Sequence, residues 1–187
     1  MTIFQSQIQL FTDLDSSIAL QLEIDKAVQI CTNALTVGSK ILIAGNGGSA
    51  ADSQHIAGEL VSRFMFDRPG LPAIALTTDT SVLTAIGNDY GYENLFSRQI
   101  QSLGRPGDVY IAYSTSGSSP NIVKSLCVAK DLGIQSIGLT GNRSGKMLPF
   151  CDVKIEVPSS LTPRIQEAHL VIGHYICEQI EINIFSK

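Results

Sequence analysis

No Cys-x-x-C pair, no run of like charges and no apolar stretch of membrane-spanning length occurs in the 187 residues, and each absence removes a class of function. The formal charge is −4 and the basic residues form no stripe. A nucleic-acid binder needs a track of Lys and Arg for phosphates, so no nucleic-acid partner is expected. The apolar residues near the start are broken by Gln, Asp and Ser, and the first basic residue is Lys26. Neither an export leader nor a membrane segment is therefore expected. Cys31, Cys127, Cys151 and Cys177 are scattered, as suits reduced, mostly core thiols of a cytoplasmic protein. No low-complexity tract or long linker divides the chain, and 44% apolar content suffices for one full core. Residues 1–187 are expected to form a single domain.

What is present is organised around Lys40 to Leu60. Four apolar residues, Ile41 to Ala44, run into Gly45-Asn46-Gly47-Gly48-Ser49, and a helical pattern follows. This predicts a strand, a glycine turn and a helix N-terminus with Ser49 as its cap. Such a turn lets backbone approach a ligand closely, and the unpaired N–H groups at the helix start favour an anion. His55 and Glu59 follow on the same helix, four residues apart and so on one face.

Before this stretch, apolar residues at helical spacing predict two helices ending at Gly38, with a break and cap at Asp15-Ser16-Ser17. Beyond it, Leu71 to Leu76 reads as a second strand with Pro72 near its start. A short helix from about Ser81 to Ile86 is expected to lead into a polar loop, Gly87-Asn88-Asp89-Tyr90-Gly91. Glu93 to Leu103 reads as a helix and Val109 to Tyr113 as a third strand. The helix after that strand runs through Asp131, and Ile134 to Leu139 is a fourth strand ending in the loop Thr140 to Gly145. Val153 to Val157 is a fifth strand, and a long helix spans about Leu161 to Ile184. Strands alternating with helices indicate an α/β fold: a five-stranded parallel sheet flanked by helices, with an N-terminal helical hairpin over 1–37.

The third strand opens into Ser114-Thr115-Ser116-Gly117-Ser118-Ser119-Pro120, a second strand, polar loop and helix, with Ser119 at the N-cap and Pro120 at the first helical position. Its hydroxyls and backbone N–H groups, free of fixed charge, suit a phosphate monoester better than a plain capped connection. Both loops leave strands at the C-terminal edge of the sheet, where α/β ligands sit, and are expected to face a common crevice. Gly45-x-Gly-x-x-Ala50 also fits the dinucleotide fingerprint. That reading wants an acidic residue ending the next strand about 20 residues on; here the strand ends at Thr77-Thr78-Asp79, well past that spacing.

On the C-terminal helix Gln166 and His174 lie eight residues apart and so near one face, with His169 offset from that line. Together with His55 and Glu59 they offer nitrogen and oxygen donors that could hold a borderline metal such as zinc. Gln is an unusual ligand and the spacing is not His-Glu-x-x-His, so acid/base work by Glu59 and His174 is the preferred reading of these side chains.

Six segments in order resemble the phosphoheptose (sedoheptulose 7-phosphate) isomerases of the sugar isomerase (SIS) domain superfamily. They are Gly45 to Ala51, His55-x-x-x-Glu59, Ala75 to Asp79, Ala85 to Gly91, Ser114 to Ser119, and Arg164-Ile-Gln-Glu-x-His169 through His174. The resemblance implies a cytoplasmic bacterial homotetramer with one zinc per subunit. Its reaction would interconvert sedoheptulose 7-phosphate and D-glycero-D-manno-heptose 7-phosphate, the first step toward ADP-heptose for lipopolysaccharide core. It implies zinc ligands at His55, Glu59, Gln166 and His174, and phosphate contacts at Ser114, Thr115, Ser116 and Ser119. Sugar contacts fall on Asn46, Gly47, Gly48, Asn88, Asp89 and Gln166.

Two positions depart from the pattern. Gly58 stands inside a helix, at a propensity cost of about 1 kcal/mol relative to Ala. Pro163 precedes Arg164, tolerable in a first turn. The alternative is a non-catalytic SIS binding module resembling the DnaA-initiator-associating proteins, which the segments Arg68-Pro-Gly-Leu-Pro and Gly107-Asp-Val would also suit. A binding module has no need of both Glu59 and His174.

Overall fold

A computed structural model describes residues 2–143 and 145–186. Ser144, within the expected loop after the fourth strand, lies outside them. Two helices open the chain, α1 (Ile3–Ser16) and α2 (Ile18–Thr36). Thr2 and Gln5 form a reciprocal capping box on α1, and Ser17 both ends α1 and caps α2 by accepting from Leu20 N–H, so the expected break is real. There follow β1 (Ile41–Ala44), α3 (Gly48–Val61), β2 (Ala73–Ala75), α4 (Thr80–Tyr90), α5 (Leu95–Leu103), β3 (Val109–Tyr113), α6 (Pro120–Asp131), β4 (Gln135–Gly141), β5 (Val153–Val157) and α7 (Thr162–Phe185).

The strands form one parallel sheet in the order β2-β1-β3-β4-β5. Alternating side chains divide the core into two layers. Ile41, Ile43, Val109, Ile111 and Tyr113 meet α1, α2, α3 and α7 on one face. Leu42, Ala44, Tyr110 and Ala112 meet α5 and α6 on the other, with Leu83 of α4 packed alongside. Buried Asp108 aligns the entries of β1 and β3, accepting from Lys40 N–H at 3.0 Å, Lys40 Nζ at 2.6 Å and Arg105 N–H at 2.8 Å. Chain direction reverses its winding between β1 and β3, which places the ligand crevice at the C-terminal ends of those two strands.

Several boundaries differ from expectation, and β2 (Ala73–Ala75) is shorter than Leu71 to Leu76. The helix after β2 does not stop at Ile86 but runs through Asn88 and Asp89 to Tyr90. Asp79 caps it by accepting from Val82 N–H at 3.0 Å, and Gly87 costs one weak position in an otherwise cooperative helix. Ser49 is not the cap of α3: Gly47 holds that place, and Ser49 is buried in the first turn. Residues Tyr92–Asn94 form a 3₁₀ turn before α5, and β4 extends to Gly141. The two departures leave both helices unbroken. A Cβ at Gly58 would meet nothing within 4 Å, and Pro163 lies in the first turn of α7, where its missing N–H has no partner to lose.

Among the described residues no helix is long and apolar enough to cross a membrane. All four cysteines are free thiols, and Cys31, Cys151 and Cys177 are buried, where desolvation raises their pKa and keeps the thiolate scarce.

Candidate active site

The glycine turn between β1 and α3 needs backbone that only glycine adopts easily: Gly47 has φ +59°. A Cβ on Gly48 would lie 2.5 Å from the amide nitrogen of Gln166, so the side chain of Gln166 rests directly on the turn. Asn46 commits its amide to the protein. It exchanges two hydrogen bonds with Asn121, at 2.9 and 2.8 Å, and accepts a third from the Tyr92 hydroxyl at 2.9 Å. Because Asn121 belongs to the first turn of α6, this reciprocal pair fastens the glycine turn to the hydroxyl loop, and the two loops do share one crevice. Beside them Gly45, Ala50, Thr77, Thr84 and Tyr92 line part of a cavity of about 350 Å³.

The hydroxyl loop carries Ser114, Thr115, Ser116 and Ser119. Ser114 Oγ lies 3.0 Å from Ser119 Oγ and 3.5 Å from Ser116 Oγ, and Ser116 Oγ accepts from Ser118 N–H at 3.2 Å. Ser119 is the residue before α6 but makes no side-chain cap bond. Its hydroxyl therefore joins the cluster, and Pro120 removes one N–H at the helix start that would otherwise need a partner. Gly117 turns the loop at φ +64°, and a Cβ there would sit 2.6 Å from the Cα of Gly145. The result is three converging serine hydroxyls at a helix N-terminus, the chemistry of an anion cradle.

Helices α3 and α7 run side by side in the same direction. Gly48 meets Gln166, Ile56 meets Gly173, and Phe64 N–H meets the Glu181 carboxylate. This register brings His55 opposite His174. Their Nε2 atoms are 2.7 Å apart and their rings are tilted by 51°. Glu59 Oε1 lies 3.3 Å from His55 Nε2. One nitrogen or oxygen from each of His55, Glu59 and His174 falls within 4.8 Å of the others, so the three could share one cation. Phe64 closes one side, its ring 5.5 Å from that of His174. Gln166 stands eight residues before His174, about 12 Å along the helix axis, at the glycine turn.

Asn88 and Asp89 stand at the end of α4, exposed and bonded to each other at 2.8 Å. His169 is a core residue. It is fully buried, its Nε2 lies 3.3 Å from the Thr140 carbonyl, and its ring packs on Tyr113. Desolvation drives its pKa down to about 4, opposed by the Thr140 contact.

Sequence reasoning missed three participants. Asn121 follows a proline at a helix start and gives no motif of its own. Arg68 and Glu181, buried beneath Glu59, are 113 positions apart in the chain.

The SIS domain family matches residues 9–141. The chain is 62% identical to the phosphoheptose isomerase of Burkholderia pseudomallei (strain 1710b), over 88% of this chain and 83% of that protein. It is 65% identical to phosphoheptose isomerase 2 of Campylobacter jejuni subsp. jejuni, over 80% of this chain and 75% of its relative. The solved phosphoheptose isomerase of Neisseria gonorrhoeae superposes with a TM-score of 0.89 at 41% identity, covering 95% of this chain and 94% of that one. The family match takes in both loops and α3. The chain thus belongs to the SIS domain family and, within it, to the phosphoheptose isomerases.

Proposed function

We propose that the protein interconverts D-sedoheptulose 7-phosphate and D-glycero-D-manno-heptose 7-phosphate through an enediol, in the cytoplasm, as the first step toward ADP-heptose and lipopolysaccharide core. Kinship with phosphoheptose isomerases supports the reaction. The observation that carries it is the convergence of Glu59 and His174, one from each of two parallel helices, next to two anion-suited loops. A binding module would need the crevice but not this pair, so the non-catalytic alternative is not favoured. Arg68, which that alternative shared, is occupied inside the fold.

In this reading the hydroxyls of Ser114, Thr115, Ser116 and Ser119 receive the phosphate. The backbone of Asn46, Gly47 and Gly48, with Gln166 above it, orients the sugar hydroxyls. Glu59 removes the proton from one carbon of the carbonyl–carbinol pair, and returning that proton to the neighbouring carbon completes the isomerisation. His174 moves the hydroxyl and carbonyl protons. Asn88 and Asp89, exposed at the end of α4, would add polar contacts to the sugar hydroxyls.

The donor set fits zinc. Two imidazole nitrogens and a carboxylate oxygen already converge, a combination proper to a borderline cation. His55, Glu59 and His174 would hold it; Gln166, the fourth ligand implied by the resemblance, rests on the glycine turn. When bound, zinc supplies positive charge that polarises the carbonyl.

The same reading includes a homotetramer. Phe4 and Ile8 are exposed at 76% and 67% on one stripe of α1. Phe11, Leu14, Leu20, Ile24 and Ile172 line a groove of about 430 Å³ between α1, α2 and α7. Such a face suits burial against copies of the same chain in a closed homotetramer. The whole of 1–187 acts as one SIS unit, with 1–37 as its helical extension.

The test is to follow sedoheptulose 7-phosphate with the purified protein by NMR. Appearance of the aldose phosphate is expected, and an unchanged spectrum would remove the proposal.

A further inference from the structure

Two side chains beneath the crevice are unusual for a core. Arg68 and Glu181 are 2% and 1% exposed, with Arg68 Nε 2.9 Å from Glu181 Oε1. A buried ion pair of this kind is seldom retained for stability, since apolar residues of the same volume commonly serve as well or better. What it adds here is direction. The guanidinium donates from Nη2 to the Glu59 carbonyl at 2.9 Å and from Nη1 to the Leu60 carbonyl at 2.6 Å, gripping the last turn of α3. It also lies over the Phe185 ring, 5.8 Å from the centroid. The carboxylate of Glu181, on α7, accepts from Phe64 N–H at 3.0 Å and Met65 N–H at 2.7 Å. Phe64 in turn packs its ring on His174.

We propose that the Arg68–Glu181 pair is the positioning device of the active site, fixing the spacing and register between Glu59 on α3 and His174 on α7. One end of the bonded path is the backbone of Glu59 itself; the other reaches the His174 ring through Phe64. Glu181 lies seven residues beyond His174, two turns along the same helix, so the pair clamps the two helices just past the reacting groups. Every donor and acceptor on the path is directional, which an apolar contact between two smooth helices is not. A displacement of about 1 Å between reacting groups can cost 10²-fold in rate. The inference rests on Glu59 and His174 being the reacting pair.

The test separates position from stability. Arg68→Met alone strands a buried carboxylate and should unfold readily. The double change Arg68→Met with Glu181→Leu removes both charges and should recover most of the melting temperature. In that double variant kcat should stay at least tenfold below wild type while KM for sedoheptulose 7-phosphate changes less than twofold. The NOE between the His55 and His174 rings, whose centroids are 4.9 Å apart, should be lost. Arg68→Lys keeps the charge but not the fork to the two carbonyls, and should show the same split if the double variant does not fold. Wild-type kcat together with an intact ring-to-ring NOE in either folded variant would overturn the proposal. A wild-type protein without isomerase activity would instead remove the proposed function, and the ring-to-ring NOE alone would then decide the role of the pair.

Discussion

His55 and His174 face each other through their Nε2 atoms at 2.7 Å. Two lone pairs cannot share that distance, so one ring donates its proton to the other. A metal taking both Nε2 lone pairs would leave that proton on the Nδ1 of its own ring. Zinc titration is therefore expected to show about one ion taken up per chain. His55→Ala should take up far less, and dialysis against a chelator should lower turnover until zinc is restored. Zinc uptake unchanged in His55→Ala would place the ion elsewhere.

Glu59→Gln keeps an oxygen for a cation but cannot accept a proton at neutral pH. The variant should fold and bind substrate, yet lose about 10² to 10⁴-fold in turnover. Exchange of the substrate carbon-bound proton with deuterated solvent should disappear as well. Retained exchange would clear Glu59 and leave His174 as the base.

Ser116 lies within the hydroxyl cluster, where a carboxylate would repel a dianion and occupy its place. Ser116→Asp is expected to raise KM by tenfold or more with an unaltered melting curve. A KM near wild type would move the phosphate to another loop.

The apolar stripe on α1 is tested by assembly. Light scattering should give a tetramer at micromolar concentration, and Phe4→Glu with Ile8→Glu should shift it toward smaller species. A wild-type monomer would remove the shared-surface reading.

The pH dependence of stability should carry the mark of His169. Its pKa falls from 6.5 to about 4 on folding, so the unfolded chain binds the extra proton first. Stability is whole above pH 6.5 and declines as pH falls toward 4. At ~1.4 kcal/mol per unit the loss is on the order of 3 kcal/mol. His169→Gln should flatten that part of the curve of melting temperature against pH, and an equal slope in both proteins would assign the decline to other groups.

The sheet and both special loops were legible because their signals are local: apolar runs, glycine and hydroxyl punctuation, and a four-residue His/Glu spacing. The end of α4 was misread because Gly87, Asn88 and Asp89 are weak helix formers individually, whereas the helix is carried by its Asp79 cap and by Ile86 on its buried side. Ser49 resembled a cap because the turn before it holds three glycines. The first of the helical positions is set by the backbone of Gly47, and the serine hydroxyl is drawn inward. Arg68 and Glu181 could not be paired from sequence at all, since nothing local marks a contact across most of the chain.

Gly117 and Gly145 stand backbone against backbone, close enough that no side chain fits at either, and Met147 N–H donates to the Gly117 carbonyl at 2.9 Å. The six residues Ser114 to Ser119 are thereby wedged into shape before any ligand arrives. Fixing a free residue costs about 1–2 kcal/mol in backbone entropy, and a slack loop would charge that ordering against every phosphate it captured. Here the ordering belongs to folding, so the attraction between hydroxyls and phosphate is left to hold the substrate.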